Sequence, residues 1–278
     1  MKEKFLRELQ LKELEILKEI DRICTKHKIK YYLTWGSALG AIRHKGFIPW
    51  DDDIDISMPW DDYIRFEAVC KENLDNKFFL QTRRTDEGHY QPYYKIRMNN
   101  TTSLPRELIH IKAHWGICID VFPLINIPTN KIQKYIQKSY LFIYLNICKL
   151  RSYALLKYTG KNILKIFIYK FAKRLSTLRL NGLENMLLRK ITKYKNTPCF
   201  GEILDERYKK SIVPKSMFGN GIYIKFEDKE YPVPTYYHDY LTQMYGDYMK
   251  LPKEEDRIGH GDIIIDLEKG YENYLCNH

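Results

Sequence analysis

The chain has 278 residues, of which 44% are hydrophobic and 29% charged, a composition typical of a globular protein with a packed core. No stretch reaches the roughly 18 apolar residues of a membrane-spanning helix, and the N-terminal residues alternate in charge without the apolar run of a signal peptide. The six cysteines include no C-x-x-C pair, which argues against a zinc cluster. We therefore expect a cytoplasmic protein.

Hydrophobic spacing predicts the secondary structure of the first half of the chain. It predicts helices at 4–27, 38–45 and 61–73, the last capped by Asp61 or Asp62, and strands at 30–35, 53–58, 78–82, 93–98 and 117–122. Helices and strands alternate along the chain, which indicates an α/β or α+β domain.

The formal charge of +11 is concentrated in one segment. Residues 131–195 carry sixteen Lys and Arg against one acid, Glu184, so their net charge is +15, while the rest of the chain has a net charge of −4. This basic segment has a helical pattern. The region after 199 is mixed, with a predicted hairpin at 222–227 and 230–233 and a predicted helix at 235–245.

Three interpretations of the basic segment remain open. It binds nucleic acid, it lies on an anionic membrane, or its helices only cover the rest of the domain. Its lysines interrupt apolar runs such as YLFIYLNIC and ILKIFIYKFA, a pattern that favours helices at a membrane surface over a nucleic-acid site. A peripheral location on the inner face of the cell membrane is therefore expected if the segment binds a partner.

An acidic motif follows the second predicted helix. In the run WDDDIDI, strand alternation places Asp53 and Asp55 on one face and the neighbouring isoleucines on the other. Two adjacent carboxylates repel each other, and a divalent cation relieves that repulsion; an all-oxygen site suits Mg²⁺ or Mn²⁺. Asp51 has the same parity and is a further candidate ligand, whereas Asp52 is not. The alternative is a solvated acidic turn.

Other residues suit a phosphate group. Gly36 and Ser37 lie between a predicted strand and a predicted helix, where backbone N–H groups and a hydroxyl can bind phosphate. Lys95 and Arg97 share one strand face and could neutralise the same group. Arg43 and His44 follow the Gly-Ser helix and could do likewise, or they form a solvated basic surface.

The residues 34–66, which include both the Gly-Ser pair and the acidic motif, resemble the diagnostic segment of the LicD family of bacterial phosphotransferases, which is related to the fukutin-type enzymes. Shorter resemblances are PYYKIRMNNTT at 92–102, CIDVFPL at 118–124 and YGDYMKLP at 245–252. The family implies an α+β nucleotidyltransferase-like fold, a mixed sheet flanked by helices. We expect residues 1–128 and 199–278 to form that catalytic domain, with 129–198 as a basic helical insertion that contacts a membrane surface or the acceptor.

The resemblance also implies a reaction. Such enzymes transfer a phosphorylated alcohol from a CDP-activated donor to a sugar hydroxyl of a cell-surface or lipid-linked glycan and release CMP. The alcohol is usually choline, and ribitol and glycerol are alternatives. Six aromatic residues are available to hold a choline group, without any being assigned to it: Tyr90, Tyr93, Tyr94, Trp115, Tyr236 and Tyr237.

We assign roles on this basis. Asp53 and Asp55 are expected to hold the metal, and Asp120, the third acid, to complete that site or to accept a proton, unless it only pairs with a nearby base. The expected contacts of the donor phosphate are Gly36, Ser37, Arg43, His44, Lys95 and Arg97. Weaker candidates near the site are Tyr245, Asp247 and Lys250.

Two rival functions deserve a test. The first is a nucleotidyltransferase that acts on RNA or a small molecule and releases pyrophosphate, with the basic segment binding the nucleic acid. The second is a non-catalytic relative that binds a sugar nucleotide or a glycan. Loss of an acid at position 53 or 55 would favour the second rival, and both acids are present.

Overall fold

A computed structural model describes residues 3–155, 170, 177–202, 211–257, 259 and 261–275. The helical predictions for 156–169 and 171–176 lie outside these residues. The helices are α1 (Glu3–His27), α2 (Trp35–His44), α3 (Trp60–Asn73), α4 (Lys131–Leu155), α5 (Thr177–Thr192), α6 (Lys215–Phe218) and α7 (Tyr237–Tyr245). Short 3₁₀ turns occur at Arg106–Leu108, Glu254–Asp256 and Tyr271–Asn273.

Most strands belong to one mixed sheet. The strands are β1 (Tyr32–Leu33), β2 (Asp55–Pro59), β3 (Phe78–Gln81), β4 (Tyr94–Met98), β5 (Thr102–Pro105), β6 (Cys118–Ile127), β7 (Cys199–Glu202), β8 (Val213–Pro214), β9 (Ile222–Phe226), β10 (Lys229–Val233) and β11 (Ile263–Asp266). The main sheet has the order β1-β2-β6-β4-β3, with β7 paired to β6 and to β8.

The direction of pairing establishes the fold class. β2 and β6 run parallel, whereas β1–β2, β4–β6, β3–β4 and β6–β7 are antiparallel. Separate two-stranded sheets join β9 to β10 and β11 to β5. This mixed sheet with its helices confirms the predicted α+β, nucleotidyltransferase-like architecture, and the predicted hairpin is β9–β10.

Helix α1 covers the sheet as its hydrophobic spacing predicts. Leu14, Leu17, Ile20 and Cys24 are all buried, and they belong to the core cluster that includes Ile119 of the central strand β6. Each such side chain contributes roughly 1.5–3 kcal/mol on burial. The largest core of the protein therefore lies directly beneath the acidic strand β2.

Several boundaries differ from the sequence prediction; β6, for example, extends to Ile127, five residues beyond the predicted end. The prediction of Asp61 or Asp62 as the cap of α3 is wrong, because the helix begins at Trp60 and Pro59 occupies the cap position. Pro59, with φ −51° and ψ 140°, provides the extended backbone that precedes the helix. Both acids lie in the first turn, where a carboxylate interacts favourably with the helix dipole. Helix α2 begins at Trp35, three residues earlier than predicted, and β1 is correspondingly short.

The described part of the basic segment packs on the main sheet. One hydrophobic cluster joins Leu141 and Tyr144 of α4 to Leu187 of α5 and to Ile125 and Ile127 of β6. Helices α4 and α5 therefore extend the main domain at the C-terminal end of β6. Within the described ranges, none of the helices combines the length and the hydrophobicity that crossing a membrane requires.

We expect Leu187→Ala to lower the free energy of unfolding by about 2–5 kcal/mol, because Leu187 is fully packed between α4 and β6. Leu183→Ala, one turn earlier on the same helix and 39% exposed, should change it by less than about 0.5 kcal/mol. Urea unfolding of both variants checks this. Equal effects would mean that the helices do not pack on the sheet as described.

Candidate active site

The acidic strand lies beside the third acid. In the parallel β2–β6 pair, Asp55 and Asp120 are direct register partners, and the backbone N–H of Asp120 donates to the carbonyl of Ile54 at 3.2 Å. Strand β2 begins at Asp55 rather than at the predicted residue 53, so alternation opposite the buried Ile56 directs Asp55 away from the core, while Asp53 lies in the loop just before the strand. Neighbouring strands thus bring together the three predicted acids.

The acids interact strongly. Burial raises the pKa of Asp55 well above its ordinary value, and the charges of Asp53, Asp120 and Asp51 raise it further. Such repulsion in a poorly solvated place is what a divalent cation relieves, and carboxylates are the ligands that Mg²⁺ and Mn²⁺ prefer. The donor chemistry therefore fits the predicted metal. Among the described residues, no three His, Cys, Asp or Glu side chains lie in metal-binding geometry, and the metal site stays a prediction.

Lys95 supplies a positive charge next to these acids. It lies opposite Asp120 in the β4–β6 register, and its ammonium group forms an ion pair with that carboxylate. Burial is the largest single effect on Lys95 and would lower its pKa, but Asp120, Cys118 and Tyr93 together outweigh burial, so the pKa is raised. Tyr93 lies beside the pair, and burial and Asp120 raise the pKa of its phenol. The ion pair thus places the Lys95 ammonium group directly against the Asp120 carboxylate.

The Gly-Ser pair holds the acidic strand in place. The backbone N–H of Asp55 donates to Ser37 Oγ at 2.8 Å, and the N–H of Thr34 donates to the carbonyl of Asp55 at 3.1 Å. A Cβ at Gly36 would lie 2.9 Å from Asp51 Oδ2, a distance that real Cβ atoms essentially never show. The start of α2 is thus fitted closely against the acidic loop, and its contact with a phosphate stays a prediction.

A cavity of about 310 Å³ opens beside the acids. Asp53, Asp120, Lys95 and Arg97 all line it, so two of the three predicted acids and two of the predicted phosphate contacts face one space, whereas Asp55 is not among the lining residues. Arg97 is buried and is positioned by Gln81 and by the carbonyl of Gly116, to which it donates at 2.6 Å. The cavity therefore combines negative and positive groups, as a metal–phosphate site requires.

Arg43 and His44 lie elsewhere. They end α2, where Arg43 donates to His44 Nε2 and to the carbonyl of Tyr248, both at 2.9 Å, and neither residue is among those that line the cavity. Burial lowers the pKa of each. The three weaker candidates belong to the same region: Tyr245 ends α7, and Asp247 and Lys250 are exposed in the following turn. Their roles stay predictions.

Comparison with known proteins places this site in a family. Residues 28–142 match the domain family described as LicD/FKTN/FKRP, nucleotidyltransferase domain. The chain is 34% identical over 268 residues to the lipopolysaccharide cholinephosphotransferase LicD of Haemophilus influenzae. The aligned region covers 94% of this chain and 97% of that protein. The chain belongs to the LicD family.

Two further matches cover a short part of the chain. An uncharacterised protein of Rickettsia typhi is 42% identical to this chain over 58 residues, and one of Rickettsia prowazekii is 40% identical over 58 residues. Each match covers 21% of this chain, and they cover 19% and 22% of the respective relatives. The protein is thus an enzyme, a transferase of LicD type. The residues from the Gly-Ser pair to Asp120 all lie within the matched LicD domain.

This LicD-family site also contains an acid that sequence reasoning missed. Glu13 of α1 lines the cavity with Asp52 and Asp53, although it is only 3% exposed. Burial raises the pKa of Glu13 well above its ordinary value, and Asp53 raises it further. A signal was present: Glu13 follows Leu9 by four residues and precedes Leu17 by four, on the apolar face of the helix. Ile263 and Ile265 of β11 complete a wall that no motif indicated.

We expect Ser37→Ala to lower the free energy of unfolding by about 1–3 kcal/mol, because the N–H of Asp55 would lose its acceptor in a buried place. The control is Ser139→Ala, an exposed serine of α4 that donates only to the carbonyl of Tyr135. Thermal and urea unfolding measure both. A Ser37→Ala protein as stable as the control would remove the proposed structural role of this hydroxyl.

Proposed function

We propose that this LicD-type transferase moves phosphocholine from CDP-choline to a sugar hydroxyl of a glycan such as lipopolysaccharide and releases CMP. The observation that carries the proposal is the full-length likeness to a lipopolysaccharide cholinephosphotransferase. The acids on β2 and β6 support it, because they lie beside a cavity with basic groups. The acceptor is a glycan, soluble or lipid-linked.

Asp53 and Asp55 would hold Mg²⁺ or Mn²⁺, with Asp120 and Asp51 as further ligands. Bound there, the cation would neutralise the donor pyrophosphate and the departing CMP. Lys95 and Arg97 line the same cavity, and their charges would act on the same phosphates. Phosphoryl transfer depends mainly on such positioning and charge neutralisation.

The acceptor step needs a base. The oxygen of the sugar hydroxyl attacks the phosphorus next to choline, the bond from that phosphorus to the CMP oxygen breaks, and the hydroxyl proton moves to a carboxylate. Asp120 suits this role because its carboxylate lines the cavity and lies on the strand next to Asp55. Its pairing with Lys95 also places a cation where charge leaves with CMP.

We expect Asp53→Asn and Asp55→Asn to reduce CMP release at least about 100-fold, the order seen when a charge-stabilising group is removed from an active site. The control is Asp228→Asn, an acid that is 56% exposed and forms a surface ion pair with Lys18. CMP release is measured with CDP-choline, CDP-ribitol and CDP-glycerol, a glycan pool, and either Mg²⁺ or EDTA.

Each result of this assay has a clear reading. Release of CMP from CDP-ribitol or CDP-glycerol alone would replace choline by that alcohol. Pyrophosphate release from nucleoside triphosphates, with no CMP from any donor, would favour the nucleotidyltransferase alternative. Wild-type turnover in Asp53→Asn or Asp55→Asn would exclude those carboxylates as metal ligands.

Helix α4 supports a peripheral membrane contact. Its buried stripe includes Gln137, Leu141 and Tyr144, while Ile132, Tyr135, Phe142 and Ile143 on the opposite stripe are 45–73% exposed within the part of the chain that the structure describes. Lys131, Lys134 and Lys138 are exposed on the same helix. Apolar side chains flanked by lysines match the headgroup region of an anionic membrane, where each cation contributes about 1 kcal/mol.

We expect the protein to co-sediment with vesicles of phosphatidylglycerol and phosphatidylcholine but weakly with phosphatidylcholine alone, and to be released by salt. The combined change Ile132→Ser, Tyr135→Ser and Phe142→Ser should abolish binding. Tyr223→Ser, at a 60% exposed position on the β9–β10 hairpin, should not. Binding to RNA in preference to these vesicles would contradict the membrane contact.

A further inference from the structure

A second cavity lies between the catalytic domain and the helical segment. Its volume is about 170 Å³, below the roughly 300–1,000 Å³ of pockets for drug-sized ligands, which suits a single sugar ring. It is lined from one side by the chain before β4 and from the other by α4 and α5. The LicD domain match ends at residue 142, so α5 lies outside it.

A buried carboxylate lines this cavity. Glu184 of α5 is 3% exposed, and its Oε2 atom is 2.6 Å from Arg83 Nη1 and 3.8 Å from Arg151 Nη1. Among the described residues, its Oε1 atom has no hydrogen-bond partner. That atom has almost no accessible surface, so the polar group open to a ligand is the amide of Asn185, which is exposed and also lines the cavity.

Aromatic rings line the same space. Tyr93, Tyr94 and Tyr144 contribute to its walls. The ring of Tyr94 is held by stacking on Tyr63, with centroids 4.0 Å apart and planes 10° from parallel. Rigid rings beside a carboxylate and amides provide both the flat apolar surface and the acceptors that a sugar ring requires.

The charge balance decides between ligands. Glu184 faces two guanidinium groups, Arg83 and Arg151, so the local charge is positive and disfavours a quaternary ammonium such as choline. A neutral hydroxyl carries no such penalty and can form a hydrogen bond with the amide of Asn185. The cavity therefore suits the acceptor rather than the alcohol of the donor.

The two cavities are neighbours. Gln91 and Tyr93 line both of them, and Arg83 donates to the carbonyls of Gln91 and Tyr90 at 3.2 and 3.1 Å. The ion pair with Glu184 thus fixes the chain segment that separates the cavities. A sugar in the second cavity would lie next to the acids of the first.

We propose that the cavity lined by Glu184, Tyr94, Tyr144 and Asn185 is the subsite for the sugar of the acceptor. This proposal rests on the proposed glycan-modifying function. It gives the helical segment a role in acceptor choice, with a sugar hydroxyl bound to the Asn185 amide and the sugar ring packed against tyrosine.

The test uses two neighbouring positions of α5. Asn185 and Met186 are both exposed, but only Asn185 is among the residues that line this cavity. Asn185→Trp should fill the cavity, and Met186→Trp is the matched control. Saturation-transfer NMR with methyl glycosides of hexoses and N-acetylhexosamines measures sugar binding to the full chain, and steady-state kinetics measure KM for acceptor and donor separately. Asn185→Ala provides a second variant that removes only the amide.

We expect Asn185→Trp to reduce glycoside saturation transfer and to raise the acceptor KM at least about tenfold, with the donor KM unchanged and Met186→Trp like wild type. A raised donor KM with an unchanged acceptor KM would overturn the proposal, as would the absence of glycoside binding by the wild-type protein. If no donor releases CMP but glycosides still bind in an Asn185-dependent way, the proposed reaction fails and the sugar subsite stands.

Discussion

Repulsion among carboxylates at the β2–β6 pair is the constraint on which the rest of the site depends. Asp55 and Asp120 face each other across parallel strands, and Asp53 adds its charge to Asp55 in a poorly solvated place. Such a cluster is held only by a scaffold that cannot relax, and the buried Ile54 and Ile56 fix the strand from beneath. The hydrophobic core therefore holds in place carboxylates that would otherwise move apart by mutual repulsion.

Positive groups balance part of this charge without filling the cavity. Lys95 reaches Asp120 from the next strand, while Arg97 is held back by Gln81 and a backbone carbonyl. Both arise from alternate positions of β4, so a single strand places two cations beside the acids. The remaining walls come from Glu13 near the start of the chain and from β11 near its end, which ties distant parts of the sequence to one cavity.

Local patterns in the sequence predicted what local physics determines. The parity of Asp53 and Asp55, the amphipathic α1 and the β9–β10 hairpin follow from spacing within a few residues. The contact of Asp55 with Asp120 spans 65 positions and depends on strand order, which no periodicity encodes; only the family resemblance supplied it. Glu13 was not predicted because the sequence shows an acid on the apolar face of a helix but does not show which residues pack against that face.

The helical segment adds a different kind of constraint. A buried ion pair such as Arg83–Glu184 is weak evidence for stability, because desolvation offsets much of its Coulomb energy. Its effect here is positional, since Arg83 also binds the carbonyls that divide the two cavities. Changes in α5 could then alter the second cavity while the acids on β2 and β6 stay in place. The two cavities are therefore shaped by separate elements of one fold, although Gln91 and Tyr93 line both.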